Sequence, residues 1–293
     1  MRDLPIAYGN SRYSKNWSNK TIPFSELCER CKTSICTSET VEEYQKLKKS
    51  DRDNIKDKGG FVGGHLKGGR RKSETVECRS MWAGDLDHAT PEFIAAAADN
   101  IKFESFIYST HSHTPESPRA RIVAPLTRDV TADEYAALSR YLADNLGIDM
   151  FDECSFIPHQ LMYWPTTPAN GEYVFKHIEG VWIDPDEILA KHPNWRDCAL
   201  LPTTSRESKV NQPSRKPQED PLAKNGVVGA FCRTYSIESA IDTFLVDVYA
   251  PSVKEGRYDY IKGESSAGLV LYDDVFAYSH HATDPAYGKL LNA

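Results

Sequence analysis

The sequence lacks any run of eighteen or more apolar residues, and its opening Met1-Arg2-Asp3-Leu4-Pro5 does not follow the charged-then-apolar order of a secretory signal. Neither a membrane span nor export is expected, so the sequence reads as cytoplasmic. Basic charge is not in excess either: 35 Lys and Arg stand against 42 Asp and Glu, a net −7. Overall basicity therefore cannot hold a nucleic acid; only basic groups gathered at one site could. Seven cysteines, an odd number, are spread unevenly at 28, 31, 36, 78, 154, 198 and 232. Without an export signal they read as reduced thiols rather than a disulfide framework. No Walker A motif occurs, which excludes an ATP-driven motor within these residues.

What is present suits an ordinary globular protein: 293 residues, 40% hydrophobic and 11% aromatic, enough for one large domain or a medium and a small one. Leu201 to Leu222 holds four prolines among Ser, Thr and charged residues, with little to fill a core, and reads as a linker. The organisation expected is a main domain over 1–200, the linker over 201–222 and a small α+β domain over 223–293. In that last part, 226–248 has helical spacing and 258–278 alternates around Gly and Asp turns. The closing Gly288 to Ala293 carries no capping or tail signal, as in a piece of a longer protein.

Residues 76 to 166 give an order of elements. Glu77 to Asp87 reads as a buried strand. Thr90-Pro91-Glu92 starts an Ala-rich helix running to Ile101. Phe103 to Thr110 and Arg119 to Leu126 read as strands, separated by a loop with Pro115 and Pro118. Thr131-Ala132-Asp133-Glu134 forms a capping box for a helix with Tyr135, Leu138, Leu142 and Leu146 on one face and Gly147 at its end. Gln160 to Trp164 is a fourth strand. Strand, helix, strand, strand, helix, strand is the ferredoxin-like, or RRM-like, split β-α-β order, here with an N-terminal α/β extension. In that topology Asp85 and Asp87, Ser109 and His111, Arg119 and Arg121, and Asp152 with His159 share one edge of the sheet.

Asp85 and Asp87, two apart on a strand, point the same way and can share a hard cation such as Mg2+ or Mn2+. Asp152, with Asp149 second, is the candidate for a third acid of a two-metal site. Ser109 and His111 offer donors to phosphate oxygens, and Arg119 and Arg121 lie on one strand face as an anion-facing pair. The stretch 58–72, KGGFVGGHLKGGRRK, has six glycines and five basic residues. Its backbone and cations, with Lys67, Arg70 and Arg71 foremost and His159 nearby, are candidates for nucleic-acid phosphate. Cys28, Cys31 and Cys36, with His65 or Cys78 as a fourth ligand, are a possible but incomplete zinc set.

With those residues in place, the sequence resembles the archaeo-eukaryotic primase superfamily. Within it, the resemblance is to primase-polymerase domains that phages and integrated elements fuse to a replicative helicase. Asp85-Leu86-Asp87, Ser109-Thr110-His111 and Asp152 look like the superfamily's acidic pair, Ser-x-His and later carboxylate. GGFVGGHLKGGRRK, YSTHSHTPESPRARIVAPL, FIPHQLMYWP and YDDVFAYSHHATDP look like the phage subgroup. The resemblance runs over about residues 5 to 290. It implies an RRM-like catalytic core, two catalytic metal ions held by Asp85, Asp87 and Asp152, and primer or DNA synthesis from NTPs or dNTPs on single-stranded DNA. It also implies a helicase following, in a bacterial host or phage-infected cell. Either His111 or an arginine of Arg119 to Val123 takes the phosphate position.

Two other readings use the same residues. A replication-initiating HUH-type endonuclease would pair His111 and His113 at a metal, but Ser112 stands where that class has a bulky apolar residue, and no tyrosine nucleophile is clearly placed. A non-catalytic single-strand-binding module would stack bases on Tyr108, Tyr163 and Trp164, and would not need acids at the edge.

Overall fold

Thr131 caps the helix Ala132–Leu146 in both directions: its hydroxyl accepts the Glu134 N–H at 3.2 Å, and the Glu134 carboxylate accepts the Thr131 N–H at 2.9 Å. Gly147, at φ 101°, ends the helix in a left-handed turn that suits glycine. Tyr135, Leu138 and Leu142 are buried along one side of it. The computed structural model describes residues 2–210 and 220–293. Those residues form two compact units, 1–191 and 192–293.

In chain order, the strands of the first unit are β1 (Leu4–Gly9), β2 (Ser18–Ile22), β3 (Ile35–Cys36), β4 (Gly60–Val62), β5 (Arg79–Leu86), β6 (Ser105–Ser109) and β7 (Ala120–Val130). After the helix come β8 (Met162–Tyr163), β9 (Thr166–Thr167) and β10 (Phe175–Ile178). The central sheet has the order β10-β6-β7-β5, with β7 antiparallel to both neighbours. β5 and β6 are therefore parallel with β7 between them, as the split β-α-β order requires.

Both faces of this sheet are covered, so all of β5 is buried. Trp82 and Leu86 of β5, Ile107 of β6 and Ile122, Ala124 and Leu126 of β7 pack on the helix Ala132–Leu146 and on Phe151 and Phe156. The alternate residues Met81, Ala83, Phe106, Tyr108 and Val123 face a second sheet, β2-β1-β4-β8, and the helix Phe24–Cys31. Asp85 and Arg121 follow the parity of this second set. Their side chains thus belong to the layer between the sheets, where Tyr163 and Trp164 also lie.

Three expectations change. The α+β class stands, but Gln160–Trp164 does not lie beside β5: Met162 and Tyr163 pair with Phe61 and Gly60 in the second sheet. The free edge of β5 is taken instead by the segment after the long helix, through Asp152 N–H to Asp85 O at 2.9 Å and Asp85 N–H to Ser155 Oγ at 2.8 Å. The fourth strand of the central sheet is β10, on β6. Second, the first half of the glycine-rich stretch, expected to approach phosphate, is mostly buried around the strand β4, and its later part is more exposed. A Cβ on Gly60 would come within 2.2 Å of Met162 O, and one on Gly64 within 1.9 Å of Cys78 O. These glycines permit close strand approach. Third, the Ala-rich helix is two short pieces, Pro91–Ala95 and Ala97–Asn100, divided at Ala96.

The second unit carries helices Ser205–Val210, Gly226–Thr234 and Ile237–Phe244 and a five-stranded antiparallel sheet of β11 (Tyr249–Pro251), β12 (Arg257–Tyr260), β13 (Leu269–Tyr272), β14 (Phe276–Ser279) and β15 (Leu290–Asn292). Residues 192–200 cluster with it: Asp197 bridges to Ser266 and pairs with Lys254 at 2.6 Å. Of the expected linker 201–222, residues 211–219 lie outside the described residues. The Tyr278–His281 cluster, to which the sequence assigned no chemistry, supports the fold. Buried His281 Nε2 accepts N–H groups of Tyr260 and Gly268 at 3.0 and 3.2 Å, and Ser279 donates to buried Asp284 at 2.6 Å. Among the described residues, no helix is long and apolar enough to cross a membrane.

Candidate active site

The register of β5 on β7 sets Asp85 directly opposite Arg121. Two residues further on, just past the ends of both strands, Asp87 meets Arg119. Asp85 Oδ2 accepts from Arg121 Nη2 at 3.1 Å and Nε at 3.3 Å, and Asp87 Oδ2 from Arg119 Nη1 at 2.9 Å. The inner pair is nearly buried, with side chains 10% and 9% exposed; the outer pair is open, at 29% and 36%. The remaining Asp85 oxygen, Oδ1, is buried with no hydrogen-bond partner. Such an atom is costly unless a ligand supplies the missing contact.

Electrostatics follow this gradient. Burial pushes the Asp85 carboxyl above its ordinary range, Arg121 pulls it back, and the charges of Asp87 and Asp152 add to the upward push. Burial also works against the Arg121 cation, but Asp85 and Tyr108 together more than offset it and keep the guanidinium protonated. Arg121 is further fixed by Nη1 donating to Tyr163 O at 3.2 Å, and Tyr108 donates its hydroxyl to the same carbonyl at 3.0 Å.

The two pairs line a cleft of about 460 Å3, open mouth included. Thr110, His111 and Ser112, from the loop after β6, form one wall, and Tyr163 to Thr166 another; Lys56 stands at the cleft as a further cation. His111 is enclosed: Nε2 lies 2.8 Å from Glu39 Oε1, Nδ1 lies 2.9 Å from Thr166 Oγ1, and the Tyr44 ring centroid is 4.4 Å away. Burial lowers its pKa, with Glu39 acting in the opposite sense.

The structure thus brings Asp85, Asp87, His111, Arg119 and Arg121 together. It does not bring every candidate to them. Ser109 is buried within β6, where its hydroxyl accepts the Val174 N–H at 2.9 Å; its neighbours Thr110 and Ser112 reach the cleft instead. Asp152 adjoins Asp85 through the backbone, but its carboxylate accepts the Cys154 N–H at 2.8 Å, and Asp149 lies in an exposed turn. Arg71 is spent on the fold, donating to the carbonyls of His159 and Arg12 at 3.2 and 3.3 Å. Lys67 and Arg70 are exposed on the turn after β4.

Cys28 and Cys31 are buried in the apolar layer between the sheets, where burial pushes the Cys31 thiol up to about 12, whereas Cys36 is exposed. His65 bonds Lys20 O at 2.8 Å. Among the described residues, these cysteines do not converge with a third ligand as a zinc set.

Sequence reasoning missed Glu39, Lys56 and Thr166. No motif marks them: Glu39 is 72 residues from His111 and reaches it only because β3 pairs with β9.

Among the described residues, no three His, Cys, Asp or Glu side chains converge as a metal cluster. The Asp85–Asp87 pair nevertheless has the donor chemistry of a hard-cation site. Both are oxygen ligands at one cleft, and Asp85 Oδ1 is buried and unpartnered. Mg2+ is commonly held by only one or two carboxylates, the rest of its shell coming from water and substrate phosphate.

Fold and cleft define a class: an α+β protein in which two aspartates and two arginines face one another at one sheet edge. The chain belongs to the VapE N-terminal domain family, whose pattern matches residues 1–204. Among solved structures, it is similar to the AEP domain of the cyanophage S-2L primase-polymerase (PP-N190), at 15% identity and a TM-score of 0.36, over 64% of this chain and 88% of that one. No curated protein matches the sequence.

Proposed function

We propose that this chain is a primase-polymerase module that joins nucleotides on a single-stranded DNA template in a metal-dependent reaction. The observation that carries this reading is Asp85 Oδ1, a buried carboxylate oxygen with no partner, beside Asp87 in a cleft lined by cations. Asp85 and Asp87 would hold Mg2+ or Mn2+, and Asp152 is the nearest further acid along the backbone. Held there, such a cation would supply the positive charge that offsets a triphosphate and eases ionisation of a 3′-hydroxyl.

The chain's own groups supply the rest. Arg119, the more exposed guanidinium, can turn from Asp87 toward a triphosphate, while Arg121 stays with Asp85 and Tyr163 O. Lys56, Thr110 and Ser112 add a cation and two hydroxyl donors where nucleotide phosphate would lie. Lys67 and Arg70 offer exposed cations to the template, and a replicative helicase, fused or cognate, would be the partner. The rival readings find less support: His111 and His113 turn to different partners, Glu39 and the Arg119 N–H, and Tyr108 is fully buried rather than open for stacking.

The test is incubation with primed and unprimed single-stranded template, Mg2+ or Mn2+, and each nucleotide type. Extension or de novo primers are expected. Their absence with both NTPs and dNTPs would sink the reading. Strand cleavage with a covalent tyrosyl adduct would replace it with the endonuclease, and template binding without turnover, unchanged in Asp85→Ala, with the binding module.

A further inference from the structure

The N-terminal extension is stitched to the cleft by backbone bonds. Ile35 donates to Pro165 O at 2.9 Å, Thr37 to Thr167 O at 2.9 Å, and Ala169 to Glu39 O at 2.8 Å, around the parallel pairing of β3 with β9. This ladder brings Glu39 to His111. The Glu39 side chain is 14% exposed and that of His111 only 1%. Thr37 donates its hydroxyl to the same Glu39 oxygen that His111 meets, at 2.6 Å.

An ionised carboxylate only accepts hydrogen bonds, so the imidazole must carry its proton on Nε2. Nδ1 is then the nitrogen that meets Thr166. When Nδ1 is bare, the Thr166 hydroxyl donates to it and is unavailable to a ligand. Burial of the ring disfavours a second proton, so Nδ1 stays bare and holds the hydroxyl of Thr166, a residue that lines the cleft. The groups facing the ring are Glu39, the Tyr44 ring and, at longer range, Lys56 and Lys58; only Glu39 favours the imidazolium.

We propose that Glu39 is a positioning residue that acts through His111 to hold the Thr166 side chain fixed in the cleft wall against which the phosphates of an incoming nucleotide lie. This rests on the reading of the cleft as a nucleotide site. The test measures KM and kcat for nucleotide on a primed template in Glu39→Gln, Glu39→Asp and His111→Ala, and in the Glu39→Gln/His111→Ala double variant.

In Glu39→Gln, KM is expected to rise about tenfold with kcat changed by less than about threefold. Glu39→Asp should recover part of the loss, and the double variant should be no worse than His111→Ala alone. An unchanged KM in Glu39→Gln, or additive losses, would overturn the proposal, as would a loss that only tracks a falling Tm. Absence of synthesis in the unaltered protein would instead remove the nucleotide reading. The pairing is then judged by NMR titration of His111, whose pKa should fall in Glu39→Gln; no change would overturn the pairing too.

Discussion

Arg79 and Asp85 stand at opposite ends of β5, both buried, and their surroundings differ in one respect. Arg79 ties each of its three guanidinium nitrogens to the fold: it donates to Gly63 O at 2.9 Å, Pro158 O at 2.5 Å and Met81 O at 3.1 Å, and its guanidinium carbon lies 3.8 Å from the Tyr135 ring centroid. Asp85 uses one oxygen on Arg121 and leaves the other without a partner. A saturated buried charge ties strands together, whereas an unsaturated one keeps an oxygen that can still bond. The same strand thus carries a structural ion at its start and, on the proposed reading, a chemical one at its end.

The strongest way to break this comparison is to neutralise the chemical end. Asp85→Asn and Asp87→Asn should each lower synthesis by at least about 100-fold in primer-extension assays. Asp87→Asn, on the open outer pair, should leave Tm within a few degrees of the parent. Wild-type rates in either variant, or global unfolding of Asp87→Asn, would erase the distinction.

The converse change acts at the structural end. Arg79→Met strands three buried carbonyls and should cost about 3 kcal/mol or more in denaturant unfolding. Protein that remains folded below the lowered midpoint should still extend primers. If Arg79→Met were inactive while folded, the two ends of β5 would not divide as described.

Arg119→Ala sharpens the contrast within the cleft. Its guanidinium is partly exposed and pairs with the carboxylate of Asp87. Its loss should raise nucleotide KM about tenfold with little change in thermal stability. A fall in kcat at unchanged KM would place Arg119 in the reaction rather than in binding.

Much of this contrast was legible from sequence, because spacing along one strand or helix is a local matter. Thr131, Glu134 and Gly147 marked both ends of the long helix, and the alternation Asp85/Asp87 and Arg119/Arg121 put four charges on matching faces of two neighbouring strands. What was not legible depended on distant partners. Gly60 and Gly64 read as loop glycines because the sequence does not show which strand will press on them. Met162 and Tyr163 had the right residues for a strand but not the identity of its neighbour. Ser109 and Asp152 were placed near the right edge, yet each turns its oxygen to a local N–H, of Val174 and Cys154. Glu39 was invisible altogether, since only the pairing of β3 with β9 connects it to His111.

The smallest expected effect concerns His113, which supports the outer pair from behind: its Nδ1 accepts the Arg119 N–H at 3.2 Å, and burial lowers its pKa from 6.5. His111 is lowered in the same direction by burial. A histidine whose folded pKa is depressed contributes stability above pH 6.5, and that contribution is lost as pH falls through the folded value, because the unfolded chain takes up the proton first. Tm should therefore decline between pH 7 and pH 5.5. Asp85 works against the decline, since burial raises its carboxyl and protonation then favours the folded state. The informative quantity is thus the difference between the parent and His113→Gln, in which the Asp85 contribution cancels. The variant should lose less Tm over that interval than the parent does. Parallel pH curves would show that the Arg119 backbone does not depend on a neutral His113, and that the outer pair is held by β7 alone.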